Sequence, residues 1–259
     1  MDLGLKGRKA IVCGSSRGLG RACAEALAEA GASVVINGRD PARLEQAAKE
    51  IAARTGATII PVAADVSTEA GRAALLTACP DPDVLVNNAD GPPPKPFRKI
   101  TPADVAAGVN GNMITPIALI QAVIDGMIER RYGRIVNITS GSVKSPITGL
   151  DVSSGARAGL TAFLAGPARE VAQANVTINN ILPGQFDTDR LKTATARMAE
   201  MRGLAVDEMM KTRREAIPAK RFGTPEEFGK LCAFLASEHA GYITGQNFLI
   251  DGGLFPGAF

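Results

Sequence analysis

Three glycines stand between a short apolar run and an amphipathic run near the start of the chain. They form the pattern Gly14-x-x-x-Gly18-x-Gly20, which follows residues 9–13 and opens a helical pattern at 19–30. Glycine adopts positive φ angles and allows close backbone approach, so this spacing is typical of a tight turn between a strand and a helix. The free N–H groups and positive dipole end of such a helix bind phosphate. The motif therefore predicts a pyrophosphate-binding turn, with a purely structural turn as the alternative.

The residues after the second predicted strand indicate which nucleotide would bind. In dinucleotide-binding folds an acid about 20 residues past the glycines binds the ribose 2′-hydroxyl, whereas an arginine accommodates a 2′-phosphate. Arg39 stands at this strand end and Arg17 lies in the glycine turn, and a planar guanidinium suits a phosphate. We interpret Asp40 and Pro41 as the N-cap and first residue of the next helix. The pattern favours NADP(H) over NAD(H), with a solvated surface arginine as the alternative for Arg39.

Apolar, β-branched runs alternate with helical patterns and would position these residues. We expect strands at 9–13, 33–37, 58–62, 83–87, 133–139, 176–182 and 246–250. We expect helices at 19–30, 41–54, 69–78, 112–131, 154–174 and 225–237. The strands read as continuous apolar runs, which is typical of burial on both faces. The alternation predicts an α/β fold, doubly wound, with a seven-stranded parallel sheet and helices on both faces.

Length and composition agree with this fold. The 259 residues fit one α/β domain, and a 46% hydrophobic content is enough for a large core. The net charge of +3 arises from interspersed charges of both signs, which argues against a nucleic-acid binder. We expect no membrane-spanning segment, because no apolar run reads as long enough, and no signal region, so a cytoplasmic protein is predicted. The four cysteines show neither metal nor disulfide spacing, and no metal site is expected.

Two segments interrupt the alternation. Residues 91–96 form a proline-rich loop after the fourth strand, and residues 186–217, rich in methionine and charge, precede the helix at 225–237. In an α/β sheet both would lie beyond the carboxyl ends of strands, where ligands bind. We interpret 186–217 as a substrate lid within a single domain, residues 1–259; a surface helical excursion is an equally open alternative.

Further motifs are distributed along nearly the whole chain. They are Asp65-Val66, Asn87-Asn88-Ala89, Asn112, Ser140, Asn179, Pro183-Gly184 with Thr188, residues 217–227, residues 242–246 and Asp251-Gly252-Gly253. Together with the glycine turn they resemble the short-chain dehydrogenase/reductase family, and most closely its 3-oxoacyl-carrier-protein reductases. The resemblance implies a Rossmann-like fold, a nicotinamide cofactor, a small carbonyl or alcohol substrate and a homotetramer.

The resemblance also implies roles for individual residues. The implied cofactor-binding set is Gly14, Ser16, Arg17, Gly18, Leu19, Gly20, Arg39, Asp65, Val66, Asn87, Ala89, Pro183, Gly184 and Thr188. Within this set, residues 65–66 would flank the adenine, residues 87–89 the adenosine ribose, and residues 183–188 the nicotinamide carboxamide. The implied catalytic set is Asn112, Ser140, Ser153 and Arg157.

The catalytic set departs from the family pattern. About thirteen residues after the serine the family has Tyr-x-x-x-Lys, whereas this chain has Ser153 and Arg157 in register; its only tyrosines are Tyr132 and Tyr242. The sequence resembles a reductase-like branch that carries the same Ser-x-x-x-Arg replacement. In the family the tyrosine donates a proton as hydride arrives, and the lysine lowers the pKa of that tyrosine. Serine is a far weaker acid and arginine stays protonated, and loss of a general acid lowers a rate by about 10²–10⁴.

Several groups could compensate. The candidates are a water held by Ser140 and Ser153, Arg157 as an oxyanion stabiliser, and Lys144, for which a solvated surface position is the favoured alternative. Asp90 replaces the glycine of the family's Asn-Asn-Ala-Gly, and its carboxylate would repel cofactor phosphates. It could pair with Arg157 or Arg17 or be an acid in its own right, and a tolerated loop residue is the favoured alternative.

Three functions are compatible with these residues. The first is an NADP(H)-dependent carbonyl reductase or alcohol dehydrogenase with a non-standard proton donor. The second is a catalytically impaired, NADP(H)-binding subunit or sensor. The third is a non-redox lyase or dehalogenase on the same scaffold, which ranks last because the halohydrin dehalogenases keep the tyrosine and have lost the glycine turn, the reverse of this chain.

Overall fold

A computed structural model describes residues 1–257 of the chain. Seven parallel strands form one sheet in the order β3-β2-β1-β4-β5-β6-β7. They are β1 Lys9–Val12, β2 Ser33–Gly38, β3 Ile59–Ala63, β4 Val84–Asn87, β5 Gly133–Ile138, β6 Val176–Pro183 and β7 Asn247–Ile250. The strand order reverses between β1 and β4. Open α/β sheets bind ligands outside the carboxyl ends of the strands at such a switch point.

Helices cover both faces of this sheet. They are α1 Gly18–Glu29, α2 Pro41–Thr55, α3 Glu69–Ala78, α4 Pro102–Val109, α5 Thr115–Glu129, α6 Asp151–Glu170, α7 Asp189–Arg202, α8 Val206–Glu215 and α9 Pro225–Ala236. The core under α1, α2 and α9 contains Val34 and Ile36, whereas the core under α3, α5 and α6 contains Val35. Successive strand residues enter opposite cores, which explains the continuous apolar runs. The predicted doubly wound α/β fold is confirmed.

The predicted strands agree with the observed ones to within one residue at each end, but one helix was misplaced. The helix expected to begin at 112 is preceded by α4, and the π-helical turn Asn110–Ile114 joins α4 to α5. Thr101 and Asp104 start α4 with a capping box, in which the Asp104 N–H donates to Thr101 Oγ1 over 3.2 Å. The prediction missed this start because the extra residue of a π turn breaks the apolar periodicity that marks a continuous helix.

The joined helix also corrects the expectation about membrane-spanning length. Residues Pro102–Glu129 span 28 residues and include an 18-residue window with a mean hydropathy of 1.4, so by length and composition alone they could cross a membrane. Leu119, Val123 and Met127 of this helix are buried against the sheet, as in the core helix of a globular protein.

The 186–217 segment consists largely of α7 and α8. Thr188 Oγ1 accepts a hydrogen bond from the Leu191 N–H over 3.4 Å and so caps α7. Leu191, Met209 and Ile217 are buried. The segment is therefore packed through apolar side chains and is not an extended loop.

Candidate active site and cofactor groove

The glycine turn connects β1 to α1 at the switch point of the sheet. Gly14 and Gly18 have φ angles of 55° and 58°, which favour glycine. A Cβ atom on Gly20 would overlap the carbonyl oxygen of Gly14. Arg17 is the N-cap residue of α1, and its side chain makes no capping hydrogen bond. The first N–H groups of α1 thus lack a side-chain acceptor and can bind an anion such as a pyrophosphate.

Two side chains that sequence reasoning left out of the site hold this turn in place. Ser15 Oγ donates to the carbonyl of Val12 over 2.6 Å and accepts from the N–H of Asn37 over 2.9 Å. Asn88 Nδ2 donates to the carbonyl of Gly14 over 2.9 Å. The bonds of Ser15 to Asn37 and of Asn88 to Gly14 depend on which strands are neighbours, so no local motif reveals them. The remaining turn residues of the expected cofactor set, Ser16 and Leu19, are half-buried.

Arg39 is the exposed cation at the end of β2. Its side chain is 69% exposed, and Nη2 lies 3.4 Å from Asp90 Oδ2. The neighbouring carboxylate is occupied elsewhere, because Asp40 Oδ1 accepts the N–H of Arg43 over 3.1 Å. Asp40 is therefore the N-cap of α2, as predicted, and Arg39 is left as the charged residue of this strand end that could meet a 2′-phosphate.

The residues expected near the adenosine follow β3 and β4, which are separated in the sheet by β2 and β1. Hydrogen bonds from Ser67 hold the pKa of Asp65 below its usual range, and the Ser67 N–H donates to Asp65 Oδ1 over 2.9 Å. Val66 lines a small cavity together with Asn87 and Ala89. The segment after β3 thus reaches the end of β4 across the two intervening strands.

An asparagine row crosses four neighbouring strands, from the last residue of β4 to the first residue of β7. Asn87 Nδ2 donates to Asn137 Oδ1 over 2.9 Å, and Asn137 Nδ2 donates to Asn180 Oδ1 over 3.0 Å. Asn180 Nδ2 donates in turn to Asn247 Oδ1 over 2.8 Å. The parallel registers place these residues side by side, as in the amide ladders of in-register sheets. The row fixes the amide of Asn87 through its Nδ2.

Asn112 lies in the π-helical turn between α4 and α5, an irregularity that is frequent at functional sites. Its Nδ2 donates to the carbonyl of Gly108 over 3.2 Å. Among residues 1–257, the buried Oδ1 atoms of Asn112 and Asn87 have no hydrogen-bond partner. Both side chains and Arg157 line a cavity of about 10 Å³, which is room for one water molecule. A water there would donate to both oxygens.

Ser140 follows β5 at the same edge of the sheet. Its Oγ accepts from the Ser142 N–H over 3.1 Å at the start of a 3₁₀ turn. The hydroxyl proton therefore remains available to a ligand. Lys144, at the end of this turn, is exposed, and its ammonium nitrogen lies 5.8 Å from the centre of the Phe255 ring. This position agrees with the solvated surface role that the sequence favoured for Lys144.

Ser153 and Arg157 lie one turn apart on α6, and each is 7% exposed. Arg157 Nη1 donates to the carbonyl of Ile138 over 2.7 Å, and Nη2 donates to the carbonyl of Ala89 over 3.1 Å. Its Nε donates to Ser153 Oγ over 3.3 Å. Burial lowers the pKa of Arg157 to about 10, so it is a cation at neutral pH. It can stabilise negative charge but cannot relay a proton.

The two tyrosines lie away from this edge. Tyr132 immediately precedes β5, and its buried hydroxyl donates to the carbonyl of Ala236 over 3.0 Å. Tyr242 precedes β7 and is fully exposed. In a parallel sheet both positions belong to the amino edge, opposite Ser140. Neither hydroxyl can stand in for the family's tyrosine.

Asp90 interacts with two arginines that were not the expected partners. Its Oδ2 lies 3.4 Å from Arg39 Nη2, and its Oδ1 lies 3.8 Å from Arg190 Nη1. Within residues 1–257 Asp90 forms no ion pair with Arg157 or Arg17, the pairing left open as one alternative by the sequence, and the Arg157 guanidinium is turned to main-chain carbonyls. Sequence reasoning missed Arg190, which lies on α7 about 100 residues from Asp90 and reaches this edge only through the fold.

The residues expected at the nicotinamide lie along the same edge. Pro183 ends β6, and the Gly184 N–H donates to the carbonyl of Ile250 over 2.9 Å. A Cβ atom on Gly18 would lie 3.9 Å from Thr188 Cγ2. Thr188 therefore sits beside the glycine turn.

These features fit a nicotinamide dinucleotide. The glycine turn leaves a cradle without Cβ atoms, the N-terminus of α1 lacks a capping side chain, and Arg39 adds a cation at the adenosine end. Within the described part of the chain, no group of three or more His, Cys, Asp or Glu side chains could hold a metal ion.

Comparisons with known proteins agree with this geometry. A family model described as enoyl-(acyl carrier protein) reductase matches residues 14–255. The 3-oxoacyl-[acyl-carrier-protein] reductase FabG of Aquifex aeolicus (strain VF5) is 34% identical over 259 residues, which cover 98% of this chain and 100% of the relative.

Two crystal structures agree as well. YwfH, an NADPH-dependent reductase involved in bacilysin biosynthesis, superposes with a TM-score of 0.91 at 32% identity, over 97% of this chain and 100% of the other. The L-sorbose reductase of Gluconobacter frateurii, complexed with NADPH and L-sorbose, has a TM-score of 0.92 at 28% identity, over 98% of both chains. The chain belongs to the short-chain dehydrogenase/reductase family of oxidoreductases and is similar to its 3-oxoacyl-carrier-protein reductases.

Proposed function

We propose that this protein is an NADP(H)-dependent carbonyl reductase or alcohol dehydrogenase, similar to the 3-oxoacyl reductases, that works with a non-standard proton donor. One observation carries the proposal. The glycine cradle and the uncapped N-terminus of α1 lie at the same sheet edge as Ser140 and the buried Arg157 cation. A nucleotide site and a group that stabilises negative charge are thus neighbours.

The cofactor-binding residues divide along the groove. Gly14, Gly18 and Gly20, with Ser16, Arg17 and Leu19, would hold the pyrophosphate, and Arg39 would meet the 2′-phosphate. The adenosine would lie at Asp65, Val66, Asn87 and Ala89, and the nicotinamide at Pro183, Gly184 and Thr188. Arg39 is exposed, and the neighbouring Asp40 is engaged as the N-cap of α2. This arrangement supports NADP(H) over NAD(H).

The chemistry follows from the groups around Ser140. When bound, the reduced nicotinamide supplies a hydride. Ser140 has a free hydroxyl proton to donate to a substrate carbonyl oxygen, and the Arg157 cation would stabilise the negative charge that develops there. We assign the proton itself to a water held by Ser140 and Ser153. Asn112, in its π turn, would orient a second, buried water beside Arg157.

The wider setting follows the resemblance. We propose one domain over residues 1–259, with 186–217 as a substrate lid, a cytoplasmic homotetramer, and no nucleic-acid or membrane partner. Leu191 of α7 and Met209 of α8 are buried, which supports a packed helical segment.

The test is a fluorescence titration with NADPH and NADH, followed by a screen of ketones, aldehydes and 3-oxoacyl thioesters with the tighter cofactor. We expect tighter binding of NADPH and measurable reduction of at least one class. Binding of NADPH without reduction of any compound would refute the enzymatic part of the proposal.

A catalytically impaired, NADP(H)-binding subunit or sensor is the second candidate. Each of the three nitrogens of Arg157 donates a hydrogen bond to a protein acceptor. This candidate is favoured because Arg157 then has a structural role that needs no substrate. It predicts tight NADPH binding, no turnover, and co-purification with an active paralogue. The paired change Ser153→Tyr with Arg157→Lys would then restore activity, whereas robust turnover by the unchanged protein would exclude this candidate.

A further inference from the structure

Three polar groups converge on the side of Gly91 where a side chain would begin. A Cβ atom there would lie 3.1 Å from both Arg190 Nη2 and Ser153 Oγ, and 3.7 Å from Arg157 Nη2. Gly91 carries no such atom, so these groups of α6 and α7 lie close together around its backbone. Two guanidinium groups and one hydroxyl there are all hydrogen-bond donors.

The charges of this cluster do not balance. Arg157 is buried, and no carboxylate of residues 1–257 forms an ion pair with it. Asp90, the nearby carboxylate, is 60% exposed and is shared between Arg39 and Arg190. Arg157 and Arg190 therefore leave one positive charge more than Asp90 can neutralise. A buried cation without a counter-ion is unfavourable, and a bound anion would relieve it.

The hydrogen bonds of Arg157 leave N–H donors that such an anion could accept from. A guanidinium carries five N–H donors, and the three bonds to Ile138, Ala89 and Ser153 use one on each nitrogen. The second N–H groups of Nη1 and Nη2 have no protein acceptor in these bonds. Carboxylates match guanidinium donors in geometry and in charge.

We propose that Arg157, Arg190 and Ser153 form an anion site, and that the substrate is a carbonyl compound with a carboxylate on a neighbouring carbon. This assignment rests on the proposed function and names its substrate class, the 2-oxo and 3-oxo acids. The carboxylate binds Arg190 and the second donors of Arg157, and the carbonyl lies at Ser140. The reaction adds hydride from the nicotinamide to the carbonyl carbon and a proton from water to its oxygen, giving a hydroxy acid and the oxidised nucleotide.

Cofactor phosphates are the other possible source of an anion at these arginines. The experiment therefore measures substrate and cofactor separately. Phenylpyruvate and acetoacetate are compared with their methyl esters as substrates with NADPH, and the NADPH dissociation constant is measured in the same protein. The variants are Arg190→Gln and, as a matched control, Arg197→Gln, another exposed arginine of α7.

We expect the acids to be reduced with a higher kcat/KM than their esters. Arg190→Gln is expected to raise KM for the acids by about 10- to 100-fold, as for loss of a charge-assisted hydrogen bond. The change for the esters and for NADPH is expected to be much smaller, and Arg197→Gln is expected to behave like the unchanged protein. Equal use of acids and esters, or an Arg190→Gln effect confined to NADPH binding, would overturn the assignment.

A binding measurement separates this inference from the proposed function. If no compound is reduced, phenylpyruvate is titrated by calorimetry into the protein saturated with NADPH. Binding of the acid that Arg190→Gln weakens and Arg197→Gln does not would uphold the anion site even though the enzymatic proposal had failed. No binding of the acid, or binding that Arg190→Gln leaves unchanged, would overturn the anion site as well.

Discussion

The guanidinium of Arg157 on α6 donates a 2.7 Å hydrogen bond to the carbonyl of Ile138, the last residue of β5. A second bond, of 3.1 Å, runs to Ala89 after β4. One buried side chain therefore joins α6 to the ends of two central strands, and it does so two residues before Ser140. Arg157 therefore links α6 to the ends of β4 and β5 and also places a positive charge at this edge of the sheet.

Replacing Arg157 by methionine tests this structural role. The change leaves the carbonyls of Ile138 and Ala89 without their donors, which destabilises the fold. It also removes a buried charge, which stabilises the fold, and we expect the destabilising effect to be larger. The expected loss in free energy of unfolding is about 1–3 kcal/mol, measured by urea denaturation. The exposed Arg197→Met is the control and should change stability by less than about 0.5 kcal/mol. Equal stability of both variants would show that the Arg157 bonds contribute nothing.

Gly20→Ala tests the glycine cradle. The added methyl group would overlap the Gly14 carbonyl oxygen and force the turn apart. We expect a loss of about 1–3 kcal/mol in stability and a large loss of NADPH affinity. The control is Gly166→Ala on α6, where a Cβ meets no atom within 4 Å and where alanine should stabilise the helix by about 0.5–1 kcal/mol. Undiminished NADPH binding by Gly20→Ala would contradict the role of the cradle.

Arg39→Gln tests the preference for NADP(H). Arg39 is the exposed cation at the end of β2, while the neighbouring Asp40 is engaged as a helix cap. Loss of a charged hydrogen bond to the 2′-phosphate should weaken NADPH binding by about 10- to 100-fold and leave NADH binding unchanged. Arg43→Gln, four residues further on, serves as the control. A parallel loss for NADPH and NADH would place Arg39 elsewhere than at the 2′-phosphate.

Much of the scaffold could be predicted from the sequence because the signals are local. The runs around Val34 to Ile36 mark strands buried on both sides, and the Asp40-Pro41 pair marks the start of α2. The start of α4 at the Thr101 and Asp104 capping box was not predicted, because the π turn after α4 hid its continuity with α5.

The site itself was less predictable because its contacts join distant elements. Asn87 meets Asn137 only when β4 and β5 are neighbours in register. Asp90 meets Arg190 only when α7 folds back over the edge after β6. Such contacts follow from strand order and helix position, and no local pattern of residues encodes them.

Asp90→Asn tests the effect of the unusual carboxylate. Asp90 lies between Arg39 and Arg190 at the rim of the groove, so its charge would compete with cofactor phosphates for both arginines. Removing the charge should tighten NADPH binding by up to about tenfold at low ionic strength, and the gain should shrink as salt is added. Asp81→Asn, which removes a carboxylate paired with Arg130 before β4, is the control. Weaker NADPH binding by Asp90→Asn would mean that the carboxylate instead clamps the bound cofactor.

The pH dependence of kcat tests most directly whether reduction proceeds without a titrating side chain as proton donor. Ser140 and Ser153 do not ionise in the working range, and burial lowers the pKa of Arg157 only to about 10. With the fastest carbonyl substrate, kcat is therefore predicted to be flat between about pH 6 and pH 9. It should fall as pH rises through about 10, where Arg157 loses the charge that stabilises the oxyanion. A break in kcat inside the flat range would reveal a titrating general acid and contradict the proposed mechanism.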